Sequence, residues 1–369
     1  MIRKLFVALA ALLPANLQAQ PAQHGQPLWS VAGDRHELVP ARTSLPRTAG
    51  TLSMVQARDG RPDGTDSNLM YRSADGAVIA TVYLYYPGLA HPGLAAYATD
   101  RGIRLNSRTP LESAPPRLAD AGGVASAAIR IDYSNYMGAN ASSAGFIKAG
   151  RWMIKIRVTG PEARRAEVMT AMDALLAGIR FNPDSPARAA APVAVTDCPS
   201  GPARPDANLI ANEGFEQLTA HGLLALTDGA GVEGQGEDGR RISIASRIPA
   251  SMCVSSRIGQ ANLPILRATG DVSGDQSGRT GAVVIISDAG TLIEIARSLT
   301  TAHYVLLHHE IGSTTVLGSF DAMPSDRQII ALFTERNNPA TQARARVNLR
   351  ANGDTELTLP EPPAAAPGT

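Results

Sequence analysis

The sequence predicts an α+β protein, with an N-terminal antiparallel sheet and covering helices followed by a second β-rich α+β domain. Several segments alternate apolar and polar residues as strands do, whereas few have the apolar spacing of a helix. A proline-rich segment, Asn182 to Pro205, separates two parts of about 150 residues that are each long enough to bury a core. We therefore expect a domain at 28–181, a linker at 182–205 and a β-rich domain at 206–360.

Residues 1–19 have the three-part pattern of a signal peptide. Arg3 and Lys4 precede an apolar run, Leu5 to Leu13, and Ala19 offers a small residue before a cut. The run is far shorter than the roughly 20 residues of a membrane-spanning helix. We expect export, cleavage near Ala19 and a soluble periplasmic or secreted protein; a retained membrane anchor is the alternative.

The charge of the chain is nearly balanced. The whole sequence carries a formal +1, and the loss of Arg3 and Lys4 leaves 32 basic against 33 acidic residues. Such a balance lacks the basic footprint of a nucleic-acid-binding protein, so no nucleic acid partner is expected. Lysine is scarce relative to arginine throughout, which we attribute to coding bias.

The chain contains two cysteines, Cys198 and Cys253. In an oxidising envelope compartment, an even and low count favours one disulfide over two free thiols. A reactive cysteine nucleophile is the alternative, but neither residue lies in a histidine-bearing signature. We therefore predict a bond between them.

Local signals place the elements of the first part in order. Asp-Gly within Ser73–Ala77 predicts a tight hairpin, and Pro92 begins a segment with helical spacing. The predicted elements are two strands within Asn68–Tyr86, a helix over Pro92–Leu105, a strand over Val124–Tyr133, a hairpin joining Ser142–Lys148 to Arg151–Thr159, and a helix starting at Pro161.

The clearest alternation lies in Arg151–Thr159. Apolar residues at 152, 154, 156 and 158 alternate with Met153, Lys155, Arg157 and Thr159. This pattern predicts one buried face and one face in water. The helix that follows carries an apolar stripe made of Val168, Met169, Met172, Leu175, Leu176 and Ile179.

The order of these elements, with a strand reading Gly-Arg-Trp-Met-Ile-Lys-Ile-Arg at 150–157 followed at once by a closing helix, resembles the PsbP-like domains of exported proteins. The resemblance covers residues 36–181 and rests on element order and apolar pattern. It implies a binding or accessory module and carries over no functional residue, because fold alone does not define function.

The second part reads as mostly β. We predict a helix over Asp206–Thr219, capped by Asp206, and a short helix over Ser325–Glu335. Asn352-Gly353-Asp354 predicts a hairpin that leads into Thr355–Leu359. The other predicted strands are Arg241–Ile248, Met252–Ile258, Ala282–Ser287, Tyr304–Ile311 and Ala343–Leu349, and residues 361–369 are expected to be a disordered tail.

The candidate ligand-binding residues are Lys155, Arg157 and Arg130, on the face of the first sheet that we expect to meet water. They would form a cationic surface for an anionic envelope ligand or protein of unidentified nature. The alternative is an ordinary solvated sheet face. Four aromatic residues could add stacking for a sugar, although such strand positions are more often core: Tyr83, Tyr85, Tyr86 and Trp152.

No catalytic, cofactor or metal motif is complete. Gly274–Gly278 and Thr301–His303 resemble segments of trypsin-like proteases but differ in spacing and order. His308 and Glu310 would share a strand face, yet a catalytic zinc site needs a third protein ligand. We predict a non-catalytic envelope binding or accessory protein without cofactor or metal; the alternative is a hydrolase assembled from residues such as Ser277, His303 and His308.

Overall fold

The computed structural model describes residues 27–107, 110–211, 213–226, 233–235, 241–243, 247–269 and 278–359. Within them the protein has a β-rich α+β fold, with a three-stranded sheet, two nine-stranded sheets and a two-stranded ribbon. The predicted signal peptide and tail lie outside the described residues.

The described helices are all too short or too polar to cross a membrane.

The N-terminal half contains the small sheet and the first large sheet, which is antiparallel throughout. Its strands are β1 Trp29–Ala32, β2 Arg35–Leu38, β3 Thr43–Pro46, β4 Thr48–Ala49, β5 Leu52–Asp59, β6 Asp66–Arg72, β7 Ile79–Tyr85, β8 Glu112–Ser113, β9 Arg117–Ala121, β10 Val124–Tyr136, β11 Asn140–Ala149 and β12 Trp152–Pro161. The large sheet has the order β4-β5-β6-β7-β12-β11-β10-β8, and β9 also pairs with β10. Two helices complete this half, α1 Pro92–Asn106 and α2 Arg165–Gly178.

Turn and cap residues explain these boundaries. Gly76 and Gly150 adopt φ of +74° and +55° in the β6–β7 and β11–β12 hairpins, where a residue without a Cβ avoids strain. Pro92 opens α1, and the His91 ring accepts a hydrogen bond from the Leu94 amide at 3.3 Å. Both hairpins and α1 confirm the sequence predictions. The helix predicted from Pro161 starts later, at Arg165, because Pro161 still belongs to β12.

The first large sheet is covered on both faces. Ile154, Ile156 and Val158 pack in one core with residues of α2, while Met153 belongs to a separate cluster with residues of α1. Lys155 on that second face bonds Asp288 of the C-terminal half. The prediction that this face meets water is therefore wrong.

The C-terminal half is built on the second large sheet, in the order β13-β16-β17-β18-β19-β20-β21-β22-β23. All neighbours in it are antiparallel except β13 and β16. The strands of this half are β13 Ala194–Asp197, β14 Glu233–Gln235, β15 Arg241–Ser243, β16 Ser251–Ile258, β17 Leu263–Ala268, β18 Thr280–Ile285, β19 Leu292–Arg297, β20 Tyr304–Glu310, β21 Ser313–Phe320, β22 Ala345–Leu349 and β23 Thr355–Thr358; β14 and β15 form the ribbon, and the helices are α3 Phe215–Leu226 and α4 Asp326–Thr334.

One helix prediction in this half is wrong. Asp206 does not begin a helix, and α3 starts only at Phe215. Asp206 instead accepts a hydrogen bond from the Ser325 hydroxyl at 2.6 Å, and Leu209 bridges to Phe320. These tertiary contacts hold 206–211 along the sheet. The prediction of α4, which Ser325 caps, is confirmed, as is the final hairpin.

The proline-rich segment supplies edge strand β13, which pairs in parallel with β16. Cys198 follows β13 and Cys253 lies in β16, so the pairing brings the two residues together. Their Cα atoms are 4.7 Å apart and they form a disulfide, as predicted. The division into domains at 28–181 and 206–360 stays a prediction, since one hydrophobic core includes residues of both halves.

Candidate functional site

Lys155, the central residue of the predicted cationic surface, is only 7% exposed. Its ammonium bonds the Asp288 carboxylate, and the Thr99 hydroxyl of α1 donates to the same oxygen at 3.0 Å. The Tyr83 ring lies beneath the ammonium, with its centroid 5.5 Å away. Lys155 is therefore an ion-pair partner between the two halves, and its ammonium is not accessible to a ligand from solvent.

Arg130 and Arg157 do not extend a common surface with it. Arg130 is 2% exposed and bonds Asp132 at 2.8 Å, and it also bonds Asp173 of α2. That contact places Arg130 on the α2 face of the sheet, opposite Lys155. Arg157 is half-buried, with its guanidinium carbon 4.7 Å from the centroid of the Tyr136 ring. The prediction of one exposed cationic face is wrong, because both faces are covered.

The aromatic residues considered for sugar stacking lie mostly in the core. Tyr85, Tyr86 and Trp152 are each less than a tenth exposed. Tyr86 packs on Trp152 with a centroid distance of 4.9 Å, and Tyr83 stacks on Tyr85 at 5.7 Å. Burial raises the pKa of the Tyr85 phenol well above its ordinary value. These rings therefore stabilise the interior.

A buried polar network surrounds Glu294 in the middle of the second large sheet. Its carboxylate accepts from Thr280, from Arg247 at 2.5 Å and from His309 at 2.9 Å. Burial alone would raise the pKa of Glu294, but Arg247 and His309 lower it to about 2. Burial lowers the pKa of His309.

The other ring nitrogen of His309 lies 2.9 Å from the Thr314 hydroxyl, so both of its polar atoms have partners. Gly88, from the loop between β7 and α1, closes over this end of the network. A Cβ at Gly88 would lie 2.9 Å from His309 Nδ1, too close for any other residue. Glu294, His309 and Thr280 have no exposed area, and both ring nitrogens of His309 are bonded, which indicates a structural role.

A second buried group brings together a serine, a histidine and a carboxylate that the sequence analysis did not connect. His221 Nε2 lies 3.2 Å from Ser298 Oγ, and His221 Nδ1 lies 3.5 Å from Glu213 Oε1. The ring atoms have the order found in serine hydrolases. However, Ser298 has no exposed area, and the His221 and Glu213 side chains are 1% exposed. No substrate reaches Ser298 Oγ in this conformation.

Of the residues named for the hydrolase alternative, His303 and His308 are described. Ser277 lies outside the described residues. His303 interacts electrostatically with His221, while His308 lies on β20 beside Ile293 of β19. Within the described ranges, no cluster of three or more histidine, cysteine or acidic side chains is arranged to hold a metal ion.

Four arginines line a cleft of about 670 Å³ between the two halves, which we call the arginine cleft. Arg42 and Arg61 line it from the N-terminal half, and Arg346 and Arg350 from the C-terminal half. The acidic residues in its lining are Asp63 and Glu356. The lining therefore has more basic than acidic residues, while Asp184 and Glu310 outside it pair with Arg42 and Arg346.

Hydrogen bonds hold these guanidinium groups at the cleft surface. Arg61 donates to the Ile311 carbonyl across the two halves. Arg346 donates to Asn348 at 3.1 Å and to Ser313 at 3.0 Å, yet its side chain remains 50% exposed. Arg350 lies 3.4 Å from Glu356 and is 65% exposed. Donors that are positioned in this way and still reach solvent can form bidentate bonds to a carboxylate or phosphate.

No family model matches the chain, and no curated protein matches it. Among solved structures, a crystal structure from Bacteroides thetaiotaomicron VPI-5482 at 1.50 Å is 14% identical in sequence. The match covers 49% of this chain and 54% of that chain, with a TM-score of 0.24. So low a score supports no argument about fold or function, and the resemblance to PsbP-like domains stays a prediction.

Proposed function

We propose that the protein is a non-catalytic binding or accessory protein of the cell envelope that binds an anionic ligand in the arginine cleft. The observation that carries this proposal is the convergence of Arg42, Arg61, Arg346 and Arg350 on one open cleft. The sequence analysis also expected an anionic ligand, but on a sheet face that is covered. The proposed site lies instead at the boundary between the halves.

The physical argument rests on charge and preorganisation. Guanidinium groups pair with planar anions through two parallel hydrogen bonds, which are stronger than neutral ones. Arg61 and Arg346 are already held by Ile311 and Ser313, so ligand binding immobilises little additional side-chain freedom. Because the cleft is open to water, screening by salt should weaken binding.

The hydrolase alternative has less support from the described residues. The Ser298, His221 and Glu213 group has the atom order of a triad, but His221 Nδ1 forms no hydrogen bond to Glu213 across 3.5 Å and the serine is sealed. A nucleophile must lie within contact distance of the substrate carbonyl, so this group needs an opening before it could act. A fluorophosphonate probe distinguishes the two cases, since covalent labelling at Ser298 that is lost in His221→Ala would favour the enzyme.

Titration calorimetry with inorganic phosphate and with citrate tests the binding proposal. We would work at about 20 mM salt, where the Debye length is roughly 20 Å. Arg346→Gln should weaken binding by about tenfold or more, because it removes a charged hydrogen-bond donor. Arg72→Gln serves as the matched control, since Arg72 is an exposed arginine outside the cleft lining.

Raising the salt concentration should also weaken anion binding to the wild-type protein. Equal affinities of the wild type and Arg346→Gln, or an absence of binding heat with both anions, would contradict the proposal.

A further inference from the structure

The arginine cleft is larger than a bare anion needs. Its volume of about 670 Å³ falls within the range of roughly 300–1,000 Å³ that is typical of sites for small organic ligands. A water molecule takes about 30 Å³, and a phosphate or carboxylate group is equivalent to only a few of them. A ligand that fills the cleft therefore carries a molecular body beside its anionic group.

One wall of the cleft is apolar. We call the following residues of the N-terminal half the apolar wall: Pro27, Leu28, Val39 and Pro40. Pro27 is exposed and the other three are half-buried, so each still presents surface in the cleft. The opposite wall adds little apolar surface, because its Leu349 and Ala351 are 2% and 9% exposed. Apolar surface that faces water favours a ligand that covers it.

Local contacts hold the apolar wall in place. The Val39 amide donates to the Leu28 carbonyl at 2.9 Å, which joins the two segments that carry the wall. Gly64, in the loop between β5 and β6, has a φ of +73°. A Cβ at Gly64 would lie 3.0 Å from Leu28 Cδ2 and 3.3 Å from Pro40 Cγ, so both side chains pack against this glycine. The wall is formed before a ligand binds, and covering it has a small entropic cost.

The composition of the walls indicates the kind of body. The described lining of the cleft contains no aromatic side chain. Sugars and nucleobases bind by stacking on aromatic rings, which this lining does not offer. An aliphatic chain needs no ring, because it makes its contacts through the side chains of leucine, valine and proline.

We propose that the ligand of the arginine cleft is an anionic amphiphile, with a carboxylate or phosphate group on a single aliphatic chain; this rests on the proposed function that an anion binds there. The anionic group bonds the exposed guanidinium groups, of which Arg346 is 50% exposed and Arg350 is 65% exposed. The chain lies along the apolar wall and excludes water from it.

Titration calorimetry with methyl phosphate and hexyl phosphate tests the proposal, at about 20 mM salt. The two probes carry the same anionic group and differ only in chain length. A fully buried methylene strengthens binding by about fourfold, and one that is half covered in an open cleft by about twofold. Hexyl phosphate should therefore bind about 30-fold more tightly. Acetate and octanoate form a second pair, and the pair with the higher affinity identifies the anionic group.

Val39→Thr separates the apolar wall from the arginines. Threonine keeps the shape of valine but places a hydroxyl against the chain of the ligand. The variant should weaken the binding of hexyl phosphate by about threefold and leave methyl phosphate unchanged, whereas Arg346→Gln should weaken both. Val55→Thr is the matched control, because Val55 lies on β5 outside the lining and is 55% exposed. Circular dichroism checks that each variant is folded.

The outcomes of these titrations distinguish the ligand class from the proposed function. The ratio of the two phosphate affinities should stay constant as the salt concentration rises, since salt screens the anionic group that both probes share. Equal affinities for the two probes, or a chain-length effect that Val39→Thr leaves at full strength, would overturn the amphiphile and leave a site for small anions. An absence of binding heat with both probes would overturn the amphiphile and the proposed function together.

Discussion

Replacing Glu294 with glutamine should be among the most destabilising single changes in the C-terminal half. The substitution keeps the shape of the side chain but removes the charge that faces Arg247, which is 2% exposed. It also weakens the bond with His309. Removing one partner of a buried ion pair costs about 3–5 kcal/mol, because the other charge stays buried without compensation. We expect a loss in that range.

The lowered pKa of Glu294, which has the same Arg247 and His309 contacts as its cause, leads to a similar magnitude. A shift from 4.5 to about 2 in the folded state corresponds to about 3 kcal/mol of stability. Since the folded pKa lies below the unfolded one, this stability is present above about pH 4.5 and is lost as the pH falls through about 2. Glu294→Gln should remove that part of the pH dependence.

Urea unfolding followed by tryptophan fluorescence provides the assay, because Trp152 is 6% exposed in the folded core. The matched control is Glu310→Gln on β20, whose carboxylate lies 3.8 Å from Arg346 and is 42% exposed. That pair should contribute less than about 1 kcal/mol. If Glu294→Gln lowers the free energy of unfolding by less than about 1 kcal/mol, and Glu310→Gln shows no comparable loss, a stabilising role for the network is refuted.

Three further changes test other parts of the fold. Cys253→Ser should lower the free energy of unfolding by about 4 kcal/mol for a separation of 55 residues, and the effect should vanish when the wild type is measured in reductant. Asp288→Ala should lower the free energy of unfolding by about 3 kcal/mol, because it leaves Lys155 buried without its partner. Lys155→Met should lower it by about 1 kcal/mol, because Asp288 is 37% exposed and can be hydrated. Thermal unfolding that ranks the two variants the other way would contradict this. Burial lowers the pKa of His91 to about 4, so its stabilising effect is complete above about pH 6.5 and declines as the pH falls towards 4. His91→Asn retains a capping side chain and should reduce that decline in unfolding experiments across pH.

Sequence reasoning succeeded where structure is set by neighbouring residues. The hairpin glycines Gly76 and Gly150 and the Pro92 start of α1 are local signals, and all three lie where predicted. It failed for strands buried on both faces. Every residue of β21 is buried, so its sequence lacks the alternation that marks a half-exposed strand.

The predicted binding residues failed for a related reason. Alternation correctly separates Lys155 from Ile154 and Ile156, but it does not say what lies against each face. Lys155 is covered by Asp288, which is 133 positions away in the chain. The arginine cleft was not predicted either, because its residues are also far apart in the chain. Arg61 and Arg346 have no sequence signal in common beyond the abundance of arginine.

Backbone hydrogen bonds join the two halves beside the arginine cleft, at Gly312 of its lining. The Gly88 amide donates to the Glu310 carbonyl and the Gly312 amide to the Tyr86 carbonyl, both at 2.8 Å. Arg61 adds a bond to the Ile311 carbonyl between them. These bonds, together with the Lys155 ion pair, fix the two walls before any ligand arrives. If the cleft binds an anion as we propose, a substitution that loosens this junction should lower the affinity without removing a single cleft arginine.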